Sequence, residues 1–295
     1  MPSLAILLVG AGWGAYWIPT RWMMAHGVGP AWMSMSTSLV ALAATLPVLM
    51  YRPAALRAVT MPGLLTGACL AAGFSVYNVS LVLTAVVTAV LLFYLSPLWS
   101  ALLGWLLHGE RLSLQRVTAL ALGFAGLVFT LGFEQGLPVP HRLGDWLALA
   151  AGLMWAYGSV RSYTAADASF TGNLLSFNIG GAASALACIL LLPPAAGTAV
   201  PDLTAWQTAL PGLVALGLLF VLPSTLILVW ATQRLPAPRV GILMMTEIIA
   251  GTVTAALLAG EPFGATQAAG SLLIVAAGVL EVTSRVPAKL QLDVP

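Results

Sequence analysis

The strongest constraint in this sequence is a long stretch without charge. Residues 58–109 form a run of 52 residues that contains no Asp, Glu, Lys or Arg. One membrane helix needs about 20 apolar residues, so this run accommodates two helices joined by a short turn. The chain is 60% hydrophobic and only 7% charged, whereas a soluble domain has about 25% charged residues. So few charges cannot cover a soluble protein of 295 residues, which excludes a water-soluble enzyme and predicts a polytopic membrane protein.

Net charge, cysteines, histidines and nucleotide motifs argue against a nucleic-acid-binding protein, a metalloprotein and an ATP-driven protein. The net charge of +2 and the scattered basic residues do not indicate binding to nucleic acid. Cys69 and Cys188 lie within apolar runs and are interpreted as small packing residues. The three histidines lack metal-ligand spacing, and no Walker-type sequence is present. The sequence therefore predicts no enzyme, no metal site and no cofactor.

Charges, prolines and turn residues divide the chain into ten candidate spans of about 20 residues each. The connections between them are short and leave no room for a soluble domain. The turn near Leu83–Ala85 is the least marked, because it has no Gly, Pro or charge. The spans lie near residues 3–24, 31–50, 62–82, 86–107, 115–133, 143–164, 171–192, 209–231, 238–259 and 265–284.

The basic residues predict how these spans are oriented. An even number of spans places both termini on one side of the membrane. Basic residues accumulate in cytoplasmic loops, and a cytoplasmic N-terminus leaves only Arg21 and Arg142 outside. Both termini are therefore expected in the cytoplasm. The nine basic residues then expected inside are Arg52, Arg57, Arg111, Arg116, Arg161, Arg234, Arg239, Arg285 and Lys289.

The chain contains an internal repeat with an offset of about 150 residues. The two copies are predicted at residues 1–137 and 138–295, with five spans in each. Because five is odd, the second copy enters the membrane in the opposite sense, as in the inverted repeats of secondary transporters. The matched segments are Ala89–Gln115 with Val240–Thr266, Gly109-Glu110 with Gly260-Glu261, Pro62-Gly63 with Pro211-Gly212, and Gly12–Gly14 with Met154–Ala156.

These repeated motifs resemble the EamA domain of the drug/metabolite transporter superfamily. Leu95–Leu103, with the sequence LSPLWSALL, and Gly109–Ser113, with the sequence GERLS, carry the resemblance in the first half. Glu247 and Gly260-Glu261 carry it in the second half, which has Ile248 where Pro often follows the Glu. The resemblance covers nearly the whole chain and implies an all-α bundle of two inverted five-helix repeats. The placement of aromatic residues is most similar to the bacterial aromatic amino acid exporters, which implies a bacterial inner-membrane protein.

Aromatic and polar residues within the spans suggest where a substrate binds. Trp17 shares a face of the first span with Thr20, and a polar face must turn away from lipid. Interfacial anchoring is the alternative role for Trp17. Trp13 is interpreted as a packing residue near Gly10 and Gly14. The predicted substrate-binding residues are Trp17, Tyr77, Asn78, Tyr94, Trp99, Trp155, Ser159 and Glu247.

Three further spans supply the other candidates. Asn78, on the same face as Phe74 and Tyr77, must line water or make a helix–helix hydrogen bond. Pro97 removes a backbone hydrogen bond and predicts a bend near Phe93, beside Tyr94, Ser96 and Trp99. In the sixth span, Trp155, Ser159 and Tyr163 recur at four-residue spacing, on the counterpart of the Trp13–Trp17 face.

Glu247 is the one acidic residue that the sequence places well inside a span. A charged carboxylate is costly there, so Glu247 is expected to be neutral, paired or hydrated. It is either a proton-responsive or cation-recognising group beside the cavity or a structural hydrogen bond to a neighbouring helix. Glu281, near the cytoplasmic end of the last span, is expected to be solvated, and Glu110 and Glu261 are expected to be structural.

The leading hypothesis is a secondary transporter that exports small amphipathic metabolites, with aromatic amino acids foremost, by alternating access. Trp and Tyr would stack on a ring while polar groups bind its other end. The alternative is a broad-specificity drug or organic-cation exporter. A lipid scramblase or intramembrane enzyme is less well supported, because neither a polar lateral groove nor a catalytic dyad is evident. The expected partners are a small-molecule substrate and the bilayer, and the chain is compatible with a monomer.

Overall fold

The computed structural model describes residues 2–51, 59–110, 113–132, 139–164 and 169–284, which form helices with no β-strand among them. The helices group into ten segments. The first five are α1 (Pro2–Gly14 and Trp17–Ala25), α2 (Pro30–Tyr51), α3 (Met61–Leu83), α4 (Val86–Phe93 and Ser96–His108) and α5 (Leu114–Leu131). The second five are α6 (Leu143–Thr164), α7 (Phe170–Leu191), α8 (Leu203–Leu216, a π-turn at Gly217–Val221 and Leu222–Thr232), α9 (Ala237–Met244 and Thr246–Ala259) and α10 (Ala265–Thr283).

The predicted membrane fold is confirmed. Within the described residues, 8 of the ten segments are long and apolar enough to cross a bilayer. The other two, α2 and α6, have 22 residues each, and a helix of that length is about 33 Å long, enough for a hydrocarbon core of about 30 Å. The predicted boundary at residues 137 and 138 lies outside the described residues.

Capping residues determine where several helices begin. The hydroxyls of Thr60, Ser113 and Ser169 accept backbone N–H groups in the first turns of α3, α5 and α7. The Asp202 carboxylate accepts the Ala205 N–H at 2.7 Å and starts α8 at Leu203, earlier than the predicted residue 209. Each cap satisfies a backbone donor that the helix itself leaves without a partner.

The repeated Gly-Glu pair ends α4 and α9 in the same way. Gly109 and Gly260 have φ values of 66° and 70°, in the left-handed region that favours glycine. The following N–H groups of Glu110 and Glu261 donate back to the carbonyls of Gly104 and Ala255, at 3.2 and 3.3 Å. This is the geometry of a glycine helix cap, so the motif has a structural explanation at both positions.

Two helices are interrupted near their middles. The bend predicted from Pro97 is confirmed, because α4 breaks at Tyr94–Leu95. The repeat-related break in α9 lies at Met245 although Ile248 replaces the proline. There the Thr246 hydroxyl lies 3.1 Å from the α1 carbonyl of Leu7 and 2.9 Å from the carbonyl of Leu243 in its own helix. A hydroxyl that competes for a backbone carbonyl can bend a helix without proline.

The turn between α3 and α4 is stabilised by a contact from the second repeat. Asp145, in the first turn of α6, accepts a hydrogen bond of 2.5 Å from the Thr84 hydroxyl. The same carboxylate accepts the N–H groups of His141 and Arg142 at 2.9 and 2.8 Å. The turn that the sequence marks least is therefore fixed by a residue distant in the chain.

Helices of each repeat pack against helices of the other repeat. The sixth helix, α6, packs along α3 and α4 of the first repeat, whereas α1 packs along α9 of the second repeat. α5 and α10 lie against each other, and a Cβ added at Gly126 would lie 2.7 Å from the Gly270 carbonyl oxygen. The helices that could line a central site therefore come from both repeats.

The prediction that Glu281 is solvated is wrong. Its side chain is fully buried and lies 3.2 Å from Arg116 of α5 and 3.4 Å from Arg239 of α9. Arg239 also donates to the carbonyls of Glu281 and Ser284 where α10 ends, and a cation is favourable at a helix C-terminus. Glu281 can be buried because helices distant in sequence supply both guanidinium groups. We call Arg116, Arg239 and Glu281 the buried ion cluster.

Candidate functional site

A small central cavity lies between helices of both repeats. Its lining comes from α1, α2 and α3 of the first repeat and from α7 and α8 of the second. The free space is about 30 Å³, room for about two water molecules. Small-molecule sites generally have about 300–1,000 Å³. A substrate the size of an aromatic ring therefore requires the lining side chains to move.

One side of the cavity is polar. Ser34, Thr37 and Ser38 occupy one face of α2 and line the cavity together with Asn78 of α3 and Thr225 of α8. The Asn78 amide lies 3.5 Å from the Ser34 hydroxyl. No carboxylate, ammonium or guanidinium group occurs among the described residues that line the cavity. The polar side thus offers hydroxyl and amide groups without a formal charge.

The other side of the cavity is aromatic. Trp13 stacks on Phe74 with ring centroids 4.9 Å apart and an angle of 18° between the planes. The ring centroids of Tyr16 and Trp13 are 4.6 Å apart, and those of Phe177 and Phe74 are 6.3 Å apart. The indole N–H of Trp13 is buried and has no hydrogen-bond partner among the described residues. A buried donor without a partner is costly, so this N–H is available to a bound polar group.

A second cluster, which we call the carboxyl cluster, brings together Glu247, Tyr94, Phe93 and Tyr77. The Tyr94 hydroxyl donates to the Glu247 carboxylate at 2.8 Å, which joins α4 to α9. Tyr77 stacks on Phe93 at 4.2 Å between ring centroids. Phe74 and Tyr77 lie one turn apart on α3, and Phe74 lines the cavity. The carboxyl cluster therefore adjoins the cavity without lining it.

The predicted site residues are distributed over several layers. Asn78 lines the cavity, whereas Tyr77, Tyr94 and Glu247 belong to the carboxyl cluster. Trp155 is 3% exposed and lies behind Phe74, with an edge-to-face contact of 4.9 Å. Ser159 is buried one turn further along α6.

The other two candidates lie apart from the cavity lining. The Trp17 indole donates to the Thr254 hydroxyl of α9 at 3.0 Å. The Trp99 indole N–H is buried, as is the Ser159 hydroxyl, and neither has a hydrogen-bond partner among the described residues.

Sequence reasoning missed most of the polar side of the cavity. Ser34, Thr37 and Ser38 follow i, i+3 and i+4 spacing in an apolar span, a signal that polar groups face the bundle interior. Trp13 was expected to pack against helices, and it both packs and lines the cavity. Phe177 and Thr225 carried no distinguishing signal in the sequence.

Comparisons with known proteins agree with this architecture. The sequence pattern of the EamA-like transporter family matches residues 1–132 and 142–283, one match for each repeat. One solved crystal structure superposes with a TM-score of 0.75 at 24% identity, covering 95% of this chain and 96% of that chain. No curated protein matches the sequence.

Proposed function

The chain belongs to the EamA-like transporter family, so it is a multi-pass membrane transporter of the drug/metabolite type, and we propose that it exports small amphipathic metabolites, with aromatic amino acids foremost. The observation that carries the proposal is a cavity lined by both aromatic and uncharged polar side chains. The Trp13–Phe74 stack and the unpartnered Trp13 N–H line the same cavity as the hydroxyl and amide groups of α2 and α3. A ring can stack on the aromatic side while its polar substituent binds the other side.

The absence of formal charge in the described lining favours a substrate with no net charge. A single ion would lose much of its hydration in such a site without a counter-charge. The ammonium and carboxylate of a zwitterion partly neutralise each other and can bind hydroxyl and amide dipoles. An aromatic amino acid meets both requirements, because it has a ring and a zwitterionic end.

Alternating access is supported by the unequal packing of repeat-related helices. α3 and α6 of this structure are in extensive contact, whereas their counterparts α8 and α1 have the cavity and aromatic side chains between them. In transporters with inverted repeats, one repeat rocks against the other around a fixed site. An exchange of these two packing arrangements would separate α3 from α6 and bring α8 and α1 together, as alternating access requires.

Flux through proteoliposomes tests this function. We expect the purified protein to move tryptophan, phenylalanine or tyrosine, and we expect Trp13→Ala to weaken their affinity. A stacked aromatic pair contributes about 0.5–1.5 kcal/mol beyond area burial, which corresponds to a loss of roughly two- to tenfold. Trp105→Ala is the matched control, because Trp105 is 56% exposed and does not line the cavity. No flux of any aromatic amino acid, or equal losses in both variants, would contradict the proposal.

An organic-cation exporter is the second candidate, and the carboxyl cluster around Glu247 favours it. Its carboxylate, hydrogen-bonded to Tyr94, adjoins the cavity and could recognise an ammonium group or carry a proton. Glu247→Gln preserves shape and hydrogen bonding but removes titration and charge. For a cation exporter, this variant should lose cation transport or its pH dependence while aromatic amino acid flux stays unchanged. Wild-type behaviour with cations from acidic to mildly alkaline pH would leave Glu247 a structural role.

We also propose that the protein lies in a bacterial inner membrane with both termini in the cytoplasm. Of the nine basic residues that support this orientation, Arg116, Arg161, Arg234 and Arg239 are described, and the others lie outside the described residues. Single cysteines test it after Cys69 and Cys188 are replaced. In intact cells, an impermeant thiol reagent should label the exposed position of His141→Cys and not that of Arg234→Cys. Labelling of Arg234→Cys alone would reverse the orientation.

A further inference from the structure

Two helices depart from α-helical geometry where they meet beside the cavity. In α8, residues Gly217–Val221 form a π-turn, which closes with a bond from the Leu222 N–H to the Gly217 carbonyl. In α1, the chain is wound more tightly: the Tyr16 N–H donates to the Trp13 carbonyl at 2.9 Å. The segment between the two parts of α1 therefore has bonds of the 3₁₀ type. Both irregularities are frequent at functional sites and hinges.

Phe220 of the π-turn joins these two segments. Its ring lies 5.2 Å from the Trp13 ring, edge to face, and 5.6 Å from the Tyr16 ring, nearly stacked. A Cβ added at Gly12 would lie 3.0 Å from the Phe220 ring, so the glycine allows this close approach. Trp13 and Tyr16 both line the cavity, and Phe220 packs against them without being part of the lining. Phe220 thus supports the aromatic side of the cavity from behind.

The π-turn is held on its other side by α2. A Cβ added at Gly217 would lie 2.7 Å from a methyl group of Val40, so the backbones of α8 and α2 approach closely. Thr37, one turn before Val40, lines the polar side of the cavity, and Val221 at the end of the π-turn lines it as well. A change in the winding of this turn would therefore act on both sides of the cavity.

We infer that Phe220 is a positioning residue that sets the size of the cavity, because the π-turn presses it against Trp13 and Tyr16. Rewinding the π-turn into an α-helix shifts the register by one residue, or about 100° of rotation. Phe220 then turns away, and the rings of Trp13 and Tyr16 can withdraw to admit a substrate. The inference rests on the proposed function in taking the cavity as the substrate site.

Pro223 makes this change of winding easier. It follows the π-turn and has no N–H, so one carbonyl of α8 lacks its helical partner in either register. Because this backbone hydrogen bond is already absent, α8 loses fewer hydrogen bonds when its bonding pattern changes from the π to the α type. The repeat-related helix α3 contains no proline after Pro62 and is a continuous α-helix through Leu83.

Labelling with thiol reagents of graded size tests the inference without reference to any substrate. Thr37→Cys reports from the cavity after Cys69 and Cys188 are replaced. We expect Phe220→Ala to raise the labelling rate several-fold for bulky reagents and to change it little for small ones. Leu219→Ala is the matched control, because Leu219 belongs to the same π-turn and is 79% exposed. Equal labelling in Phe220→Ala and Leu219→Ala would overturn the inference.

Transport kinetics provide a readout that packing alone would not move. We expect Phe220→Ala to shift the order of KM values towards larger substrates, and Phe220→Tyr to restore the wild-type order. If Phe220→Ala does not fold, Phe220→Leu carries the same test with a smaller change in volume. Graded labelling without aromatic amino acid flux would reject the proposed substrate and leave the role of Phe220 intact. Aromatic flux with no effect of Phe220→Ala or Phe220→Leu on labelling or on the order of KM values would reject only the role of Phe220.

Discussion

The helix pair α3–α6 and the repeat-related pair α8–α1 pack differently, although they occupy equivalent places in the two repeats. α3 and α6 touch along their length, and a Cβ at Gly73 would lie 3.0 Å from the Ala151 carbonyl oxygen. Between α8 and α1 lie Phe220 and Trp13, with the cavity beside them. The backbones of the first pair are therefore close along their length, whereas the second pair is in less extensive contact and has aromatic side chains between its helices beside the cavity.

The sequence differences between the two pairs explain this contrast. When Pro62-Gly63 is aligned with Pro211-Gly212, Gly73 of α3, which faces α6, corresponds to Leu222 of α8. Glycine lets two helices approach closely, whereas leucine keeps their backbones apart. Repeat symmetry therefore gives the topology, and individual side chains decide which pair closes.

The same contrast extends to the ends of the repeats. Counted from the matched Gly109 and Gly260, the three residues of the buried ion cluster correspond to Gln267, Thr88 and Thr130. One end of the bundle thus has two arginines around a buried carboxylate, and the other has only neutral polar residues at these places. The two ends should respond differently to substitution.

The largest expected effect is the loss of the buried carboxylate. Glu281→Gln leaves the guanidinium groups of Arg116 and Arg239 buried without their counter-charge. Removal of one partner from a buried ion pair costs about 3–5 kcal/mol of unfolding free energy. Thr130→Val, at the corresponding position, loses one hydroxyl bond to its own helix and should cost about 1 kcal/mol. Thermal unfolding in detergent measures the loss of stability in both variants. Equal unfolding midpoints would show that the two ends of the bundle do not differ in this way.

A smaller effect is expected when Gly73 of α3 is replaced by leucine, the residue at the corresponding position 222 of α8. Gly73→Leu places a large side chain against Trp155 and the Ala151 carbonyl. Overpacking of a close interface costs about 1–3 kcal/mol or more. Leu222→Met on α8 conserves volume and should cost less than about 1.5 kcal/mol. The glycine explanation is wrong if Gly73→Leu unfolds at the wild-type temperature.

The repeat-related tryptophans should separate stability from transport. Trp155→Phe removes part of a side chain that is 3% exposed and should cost about 1–2 kcal/mol of unfolding free energy. Trp13 is half-buried at the cavity, and Trp13→Phe should mainly raise KM by several-fold at nearly wild-type stability. Melting curves and flux are measured for both positions. A Trp13→Phe variant that melts far below wild type with an unchanged KM would reverse the assignment.

Much of the fold was accessible from the sequence because a bilayer restricts the choices. An apolar span must satisfy its own backbone hydrogen bonds, so it is a helix, and its length is set by the membrane. The bend at Pro97 and the turns at Gly109 and Gly260 also follow from local chemistry. The break at Met245 and the turn at Thr84 do not, because they depend on Leu7 and Asp145, which are distant in the chain.

The candidate site also has features that the sequence indicated and features that depend on packing. Periodicity and composition by themselves indicated that α3, α4 and α9 contribute inward-facing aromatic and polar groups, and Tyr77, Tyr94 and Glu247 do lie together. Only the tertiary structure decided that Trp155 lies behind Phe74, that Trp17 turns towards Thr254 and that Glu281 is buried between two arginines. A sequence specifies which face of a helix is polar or small, whereas the partner of that face is chosen by packing among all ten helices.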